Sequence, residues 1–192
     1  PVELDCWKTI SQTVVGKSHL KKNPPIPCQD SAICSSFNRP ALFLSDGAGS
    51  AQLSHFGSNA IVNQLNNFLY ATDDITSLLL DNKNSIDENG LNKFAERLIK
   101  QSIAAIRSIA LHYNNPFENF RATVLTVVFG KEKLFWLKLG DGWIILQKGD
   151  RLETIGSLGK GEYANETTFI HPVLEKNEYE YGVLEISDIT GV

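Results

Sequence analysis

The chain has 192 residues, 42% of them hydrophobic and 21% charged, with a formal net charge of −4. That mix describes one ordinary globular domain with a sizeable core and not two. It excludes a nucleic-acid partner read through a basic stripe, because the densest basic stretch holds only Lys17, Lys21 and Lys22.

Three cysteines, Cys6, Cys28 and Cys34, form an odd set without a CxxC pair. They argue against a disulfide framework or a structural zinc site and suit a reducing compartment. No signal-peptide h-region opens the chain, and apolar runs such as Ile103–Ile106 fall far short of a membrane span. No membrane contact and a cytoplasmic location are expected.

Taken in order, Cys6–Val15 mixes β-branched and polar residues and predicts a first strand. Gly16–Gln29 is a loop, denied regular structure by Pro24, Pro25 and Pro27. Asp30–Ser36 and Ala41–Ser45 are short strands around a turn at Asn38, Arg39 and Pro40. Helical spacing runs from Gln52 to Tyr70, with Ser50 as its N-cap. Thr72–Asn89 is polar loop with one helical turn at Leu78–Leu80. A second long helix spans Leu91–His112, and Asn114, Asn115 and Pro116 stop it.

Strands follow. Thr123–Phe129 and Leu134–Leu139 flank one hairpin signal, Trp143–Gln147 and Leu152–Ile155 another. Gly156–Glu166 is a glycine-bearing loop, and Thr168–Ile170 and Val183–Ile189 are weaker strands. Strands, two long helices and then antiparallel strands imply an α+β class, helices packed on antiparallel sheet.

The chemistry concentrates at strand ends. In Leu42-Phe43-Leu44-Ser45-Asp46-Gly47-Ala48-Gly49-Ser50-Ala51 an apolar strand delivers a carboxylate into a small-residue turn before a helix. A hard cation wants such a carboxylate and a nearby backbone carbonyl. Gly140-Asp141-Gly142 carries a second strand-end carboxylate, although alone it reads as a type I′ hairpin turn. Asp30, which opens a strand after Cys28-Gln29, is a third. Converging at one sandwich edge, these oxygen donors favour magnesium or manganese over zinc.

Four segments together resemble the metal-dependent protein phosphatase family, type 2C, in a short bacterial-style form. They are Gly16–His19 running to Cys28–Ala32, Ser45–Ala51, Ala122–Leu125 and Gly140–Gly142. The resemblance implies a sandwich of two antiparallel β-sheets flanked by helix pairs, a four-layer α-β-β-α arrangement. It also implies a centre of two Mn2+ or Mg2+ ions, bridged by Asp46 and ligated by the Gly47 carbonyl. Asp30 acts through water, and Asp141 belongs to an accessory position for a third ion. The implied reaction is hydrolysis of phosphoserine and phosphothreonine in a phosphorylated protein substrate, with a metal-bound hydroxide as nucleophile.

Two departures qualify the resemblance. Gln29 stands where the family often has Glu; a neutral amide can hold a metal water but brings no charge. No Arg precedes Asn38, so phosphate contact falls to Lys17, His19, Lys21 or Lys22, of which His19 and Lys22 are the candidates kept. These features favour a competing reading, a weak or inactive phosphatase-like domain that binds phosphoproteins or a regulatory partner. Later family carboxylates, in an Asp-Gly and an Asp-Asn segment, have no counterpart up to Val192. Residues 1–192 are therefore expected to be a single domain truncated at its C-terminal end, inactive alone.

Overall fold

The computed structural model describes residues 4–35, 38–83, 87–157 and 167–192. The helices are α1 (Lys17–Leu20), α2 (Ser54–Ala71), α3 (Asp73–Leu80) and α4 (Glu88–His112). The strands are β1 (Ser31–Ser35), β2 (Ala41–Ser45), β3 (Val124–Phe129), β4 (Lys133–Leu139), β5 (Ile144–Lys148), β6 (Arg151–Ile155) and β7 (Glu180–Glu185).

Five strands form one sheet in the order β1-β2-β3-β4-β7, and β5 and β6 form a second. All pairings are antiparallel. The alternation of strand side chains divides the interior into two layers. Phe43, Val124, Val128, Phe135, Leu137 and Leu139 point to α2 and α4, where Ile61, Leu65, Phe94, Leu98 and Ile106 meet them. Leu125, Val127, Phe129 and Leu134 point the other way, to Ile144, Leu146 and Ile155 of the small sheet. The layers among the described residues are thus a helix pair, a sheet and a second sheet, the sandwich that the sequence implied. Each fully buried Leu, Ile or Phe adds about 1.5–3 kcal/mol of transfer free energy, and these two layers hold most of them.

The long helices follow their periodicity. Leu91, Phe94, Ala95, Leu98, Ile99, Ser102, Ile103 and Ile106 of α4 are buried at three- and four-residue steps. The helix stops where Asn114 turns left-handed at φ 48, with the Asn115 amide donating to the Ala110 carbonyl at 2.9 Å.

Other elements depart from the sequence reading. The predicted first strand over Cys6–Val15 is a 3-10 turn at Leu4–Cys6 followed by unpaired chain. Ile10 and Val14 remain 87% and 70% exposed; β-branched residues make a strand only when an edge accepts them. Trp7 alone is drawn in, its ring 4.5 Å from that of Phe129. The Gly16–Gln29 loop contains the short helix α1. Thr168–Ile170 is not a strand, although the Ile170 amide donates to the Ala122 carbonyl at 2.9 Å. The loop expected over Gly156–Glu166 lies outside the described residues from 158 onward.

Two further differences remain. The expected single turn at Leu78–Leu80 is an eight-residue helix, α3. Arg39, only 2% exposed, gathers that helix by donating to Asp73 at 2.6 Å, Ser77 at 2.7 Å and Asp81 at 3.1 Å. Asp73, Ser77 and Asp81 recur every fourth residue, so one face of α3 meets one guanidinium. The N-cap position of α2 is Leu53 and not Ser50, and no side chain caps it.

Candidate metal centre

One row of residues crosses the end of the large sheet. The pairing of β1 with β2 puts Ser31 opposite Ser45. It runs on past both strands, since the Gly47 amide donates to the Gln29 carbonyl at 3.1 Å. Asp30 therefore lies directly opposite Asp46, in the kind of pair whose side chains approach most closely. Continuing the β2–β3 register through the Gly47–Ala122 bridge sets Asp46 beside Thr123. Two bonds lock that contact: the Thr123 amide donates to the Asp46 carbonyl at 2.8 Å, and the Asp46 amide to Thr123 Oγ1 at 2.9 Å. The β3–β4 register then brings Gly140 beside Thr123, and Asp141 follows.

Alternation decides what faces this row. Ser31 and Ser45 point to the helices, where Ser31 Oγ lies 3.1 Å from Ser58 Oγ of α2. Asp30 and Asp46 consequently point to the opposite face, away from the helix core. Like charges placed directly opposite repel. The Asp46 carboxyl records it: partial burial, hydrogen bonding to Asp30 and the charges of Asp30 and Asp141 push its pKa from 3.8 to about 6. Asp46 nevertheless keeps solvent contact along the sheet end.

Asp141 acts on Asp46 as a charge at a distance, the last of those influences. Among the described residues no three acidic, histidine or cysteine side chains close on one point. The Gly-Asp-Gly segment is not the hairpin turn its composition suggests, because it carries the chain from β4 in one sheet to β5 in the other. Gly140 has φ +114, and a Cβ there would lie 2.5 Å from Thr123 Cγ2, so that conformation and that contact both require glycine. Thr167 Oγ1 donates to Asp141 Oδ2 at 3.0 Å and fixes the carboxylate.

Gly47 is buried, and no hydrogen bond among the described residues reaches its carbonyl. A buried carbonyl without a donor is uncommon and costs free energy. Two crowded carboxylates beside such a carbonyl are an all-oxygen donor set of the kind a hard divalent cation relieves. The residues present fit a magnesium- or manganese-like ion on that chemistry.

The other sequence candidates fare differently. His19 and Lys22 lie in and after α1, and no hydrogen bond or ion pair among the described residues joins either side chain to Asp30, Asp46 or Asp141. Gln29, expected to hold a metal water, is turned the other way. It is buried, and its amide nitrogen donates to Ser54 Oγ of α2 at 2.7 Å.

The sequence reading passed over Arg121. Its carbonyl accepts from the Ala48 amide at 2.9 Å, so the register sets Arg121 opposite Ala48, on the face that carries Asp46 and Thr123. Its guanidinium Nε donates to the Glu118 carbonyl at 3.2 Å, and it has no carboxylate partner among the described residues. The pairing of Gly47 with Ala122 could not be read from composition; it is a long-range register.

The family described as protein phosphatase 2C matches residues 15–192, and the chain belongs to it. It is 25% identical over 170 residues to serine/threonine-protein phosphatase 3 of Escherichia coli (strain K12), covering 85% of this chain and 62% of that protein. It thus spans less than two thirds of that relative's length.

Solved structures share the fold. The serine/threonine phosphatase Stp1 from Staphylococcus aureus superposes with TM-score 0.61 at 12% identity, covering 85% of this chain and 68% of that one. The catalytic domain of the phosphatase PstP, determined with two manganese ions, gives 0.56 at 17% identity, covering 83% and 66%. Among the described residues no helix is long and apolar enough to cross a membrane.

Proposed function

We propose that the protein carrying this chain is a metal-dependent phosphatase that hydrolyses phosphoserine and phosphothreonine in protein substrates. The observation that carries the reading is the Asp30–Asp46 pair, two opposed carboxylates with Asp46 pushed up to about 6, next to the undonated Gly47 carbonyl. A protein pays for such crowding when a cation is to occupy it. Family membership and the PstP structure with two manganese ions support the same reading.

Asp46 and the Gly47 carbonyl would hold the ions directly, Asp30 would act from the opposing strand, and Asp141 would serve an accessory third position. Two Mn2+ or Mg2+ ions would supply Lewis-acid activation of water and neutralise charge on the phosphoryl oxygens. Thr123 keeps Asp46 in place through the two bonds to its backbone. Arg121 is the cation best placed to meet phosphate oxygens on the Asp46 face, because its fork can take two of them at once. His19 and Lys22 stand as the weaker candidates for that contact.

The competing reading, a domain that binds phosphoproteins without turnover, leaned on Gln29 and on the missing upstream Arg. The inward turn of Gln29 and the placement of Arg121 weaken both supports. The test is hydrolysis of p-nitrophenyl phosphate and of a phosphothreonine peptide by the complete protein, with manganese, magnesium or a chelator. Turnover that requires added metal is expected. Turnover indifferent to chelator overturns the proposal, and peptide binding without turnover returns the competing reading.

A further inference from the structure

We propose that Gln29 is a positioning residue, which together with Ser54 and Ser58 fixes the separation of Asp30 from Asp46. The inference rests on the reading of this sheet end as a metal centre. Asp30 precedes β1 and Asp46 follows β2, where the two bonds to Thr123 hold the Asp46 backbone from the β3 side. Behind them, on the helix side, sits a buried polar knot.

The Gln29 carbonyl accepts two hydrogen bonds, from the Gly47 amide at 3.1 Å and from Ser58 Oγ at 2.6 Å. Its side-chain amide meets Ser54 Oγ at 2.7 Å. Ser54 and Ser58 are both 0% exposed, and Ser58 Oγ also lies 3.1 Å from Ser31 Oγ. One residue therefore bonds the segment after β2, at Gly47, through its carbonyl and the first two turns of α2 through both its carbonyl and its amide.

Room for this knot exists because residue 47 has no side chain. A Cβ there would lie 2.6 Å from the Gln29 carbonyl oxygen and 2.8 Å from Ser54 Cβ. Period-two alternation sends Gln29 to the helix side and its neighbour Asp30 to the metal side. A residue at position 29 thus acts on a cation through the backbone it holds and not through its own side chain. Buried polar groups that are fully partnered rigidify what they join. In metal sites such outer contacts typically alter affinity by about 10–100-fold.

The test uses the complete protein and four variants: Gln29→Leu, Ser54→Ala, their combination, and Gln29→Glu. Manganese affinity is read by electron paramagnetic resonance and exchange of the Gly47 amide by NMR. Gln29→Leu and Ser54→Ala should each weaken manganese binding by about tenfold. They share one contact, so the double variant should be no worse than the poorer single one. The Gly47 amide should exchange about tenfold faster in each, in step with that loss of anchorage. Gln29→Glu can still accept a bond from the Ser54 hydroxyl and should bind manganese like wild type.

A merely structural role would lower thermal stability while leaving the affinity of the folded protein unchanged, and that result overturns the proposal. So does tighter manganese binding in Gln29→Glu with no effect of Gln29→Leu, since the side chain would then reach the metal waters. Should Gln29→Leu not fold, Ser54→Ala carries the same expectations. If wild type binds no manganese, the proposed function fails, and Gly47 exchange in Ser54→Ala alone decides the positioning claim. Faster exchange upholds it, and unchanged exchange sinks it.

Discussion

The two ends of β2 carry opposite electrostatic designs. Before the strand, Arg39 is buried yet answered by Asp73 and Asp81, with its remaining donors on Ser77 and the Phe129 carbonyl. After it, the charges that bear on Asp46 among the described residues are again negative, those of Asp30 and Asp141. The carboxyl groups report the contrast. Burial would raise Asp81, but hydrogen bonds from Arg39 and from the Lys131 amide hold it below its ordinary range, whereas Asp46 is driven up to about 6. A cluster that neutralises itself joins elements together. One that does not is poised for something the chain itself does not supply.

Breaking each end in turn should give opposite losses. Asp46→Ala should abolish metal-dependent hydrolysis of p-nitrophenyl phosphate. Even outer contacts to a metal are worth about 10–100-fold, and a direct ligand more. Its melting temperature should stay at or above that of wild type, as one member of a repelling pair is gone. Arg39→Met should do the reverse. It leaves two carboxylates without a counter-charge at a cost of about 3–5 kcal/mol, read by urea denaturation, while the protein that remains folded keeps its turnover number.

The pH dependence sharpens the same contrast. A carboxyl raised on folding contributes stability that is full below its unfolded pKa and lost as pH rises through the folded one. For metal-free protein, Asp46→Asn should therefore leave stability unchanged below about pH 4 and increase it as pH rises through about 6. Thermal melts across that range check it, and saturating manganese should cancel the gain. Asp81 has the opposite sign. Its folded pKa is lowered, so its contribution is present above the ordinary aspartate range and disappears as pH falls through the folded value.

The smallest expected effect within the site is at Asp141. It touches Asp46 only through space and is held by Thr167. Asp141→Ala should lower turnover by about tenfold at saturating metal, the low end for outer contacts. Equal losses in Asp141→Ala and Asp46→Ala would show that the accessory position matters as much as the bridging one. Arg121→Lys should mainly raise KM for a phosphopeptide, since a point charge replaces a fork. An unchanged KM would move phosphate recognition back to His19 or Lys22.

Periodicity and turn chemistry alone determined much of this protein. The strand Ala41–Ser45 and the extents of both long helices follow from local pattern, and Asp46-Gly47 at a strand end is visible in the sequence. Resemblance to the phosphatase family adds Asp30 and Asp141 as expected partners. Only tertiary structure decided how they meet. Asp30 faces Asp46 because a hairpin register continues past Ser31 and Ser45, and Arg121 reaches the same face because Ala122 pairs with Gly47 across the three helices α2, α3 and α4.

Three local readings failed for a common reason. Cys6–Val15 has strand-like residues but pairs with no sheet edge among the described residues. The α3 segment looks like a polar loop until Arg39 collects its acidic face. Gln29 reads as a holder of a metal water until α2 offers Ser54 on the other side of the strand. A side chain's type is written in the sequence, but the face it occupies is set by register. Register is fixed by contacts between residues far apart in the chain, where a shift of one position moves every side chain to the opposite face.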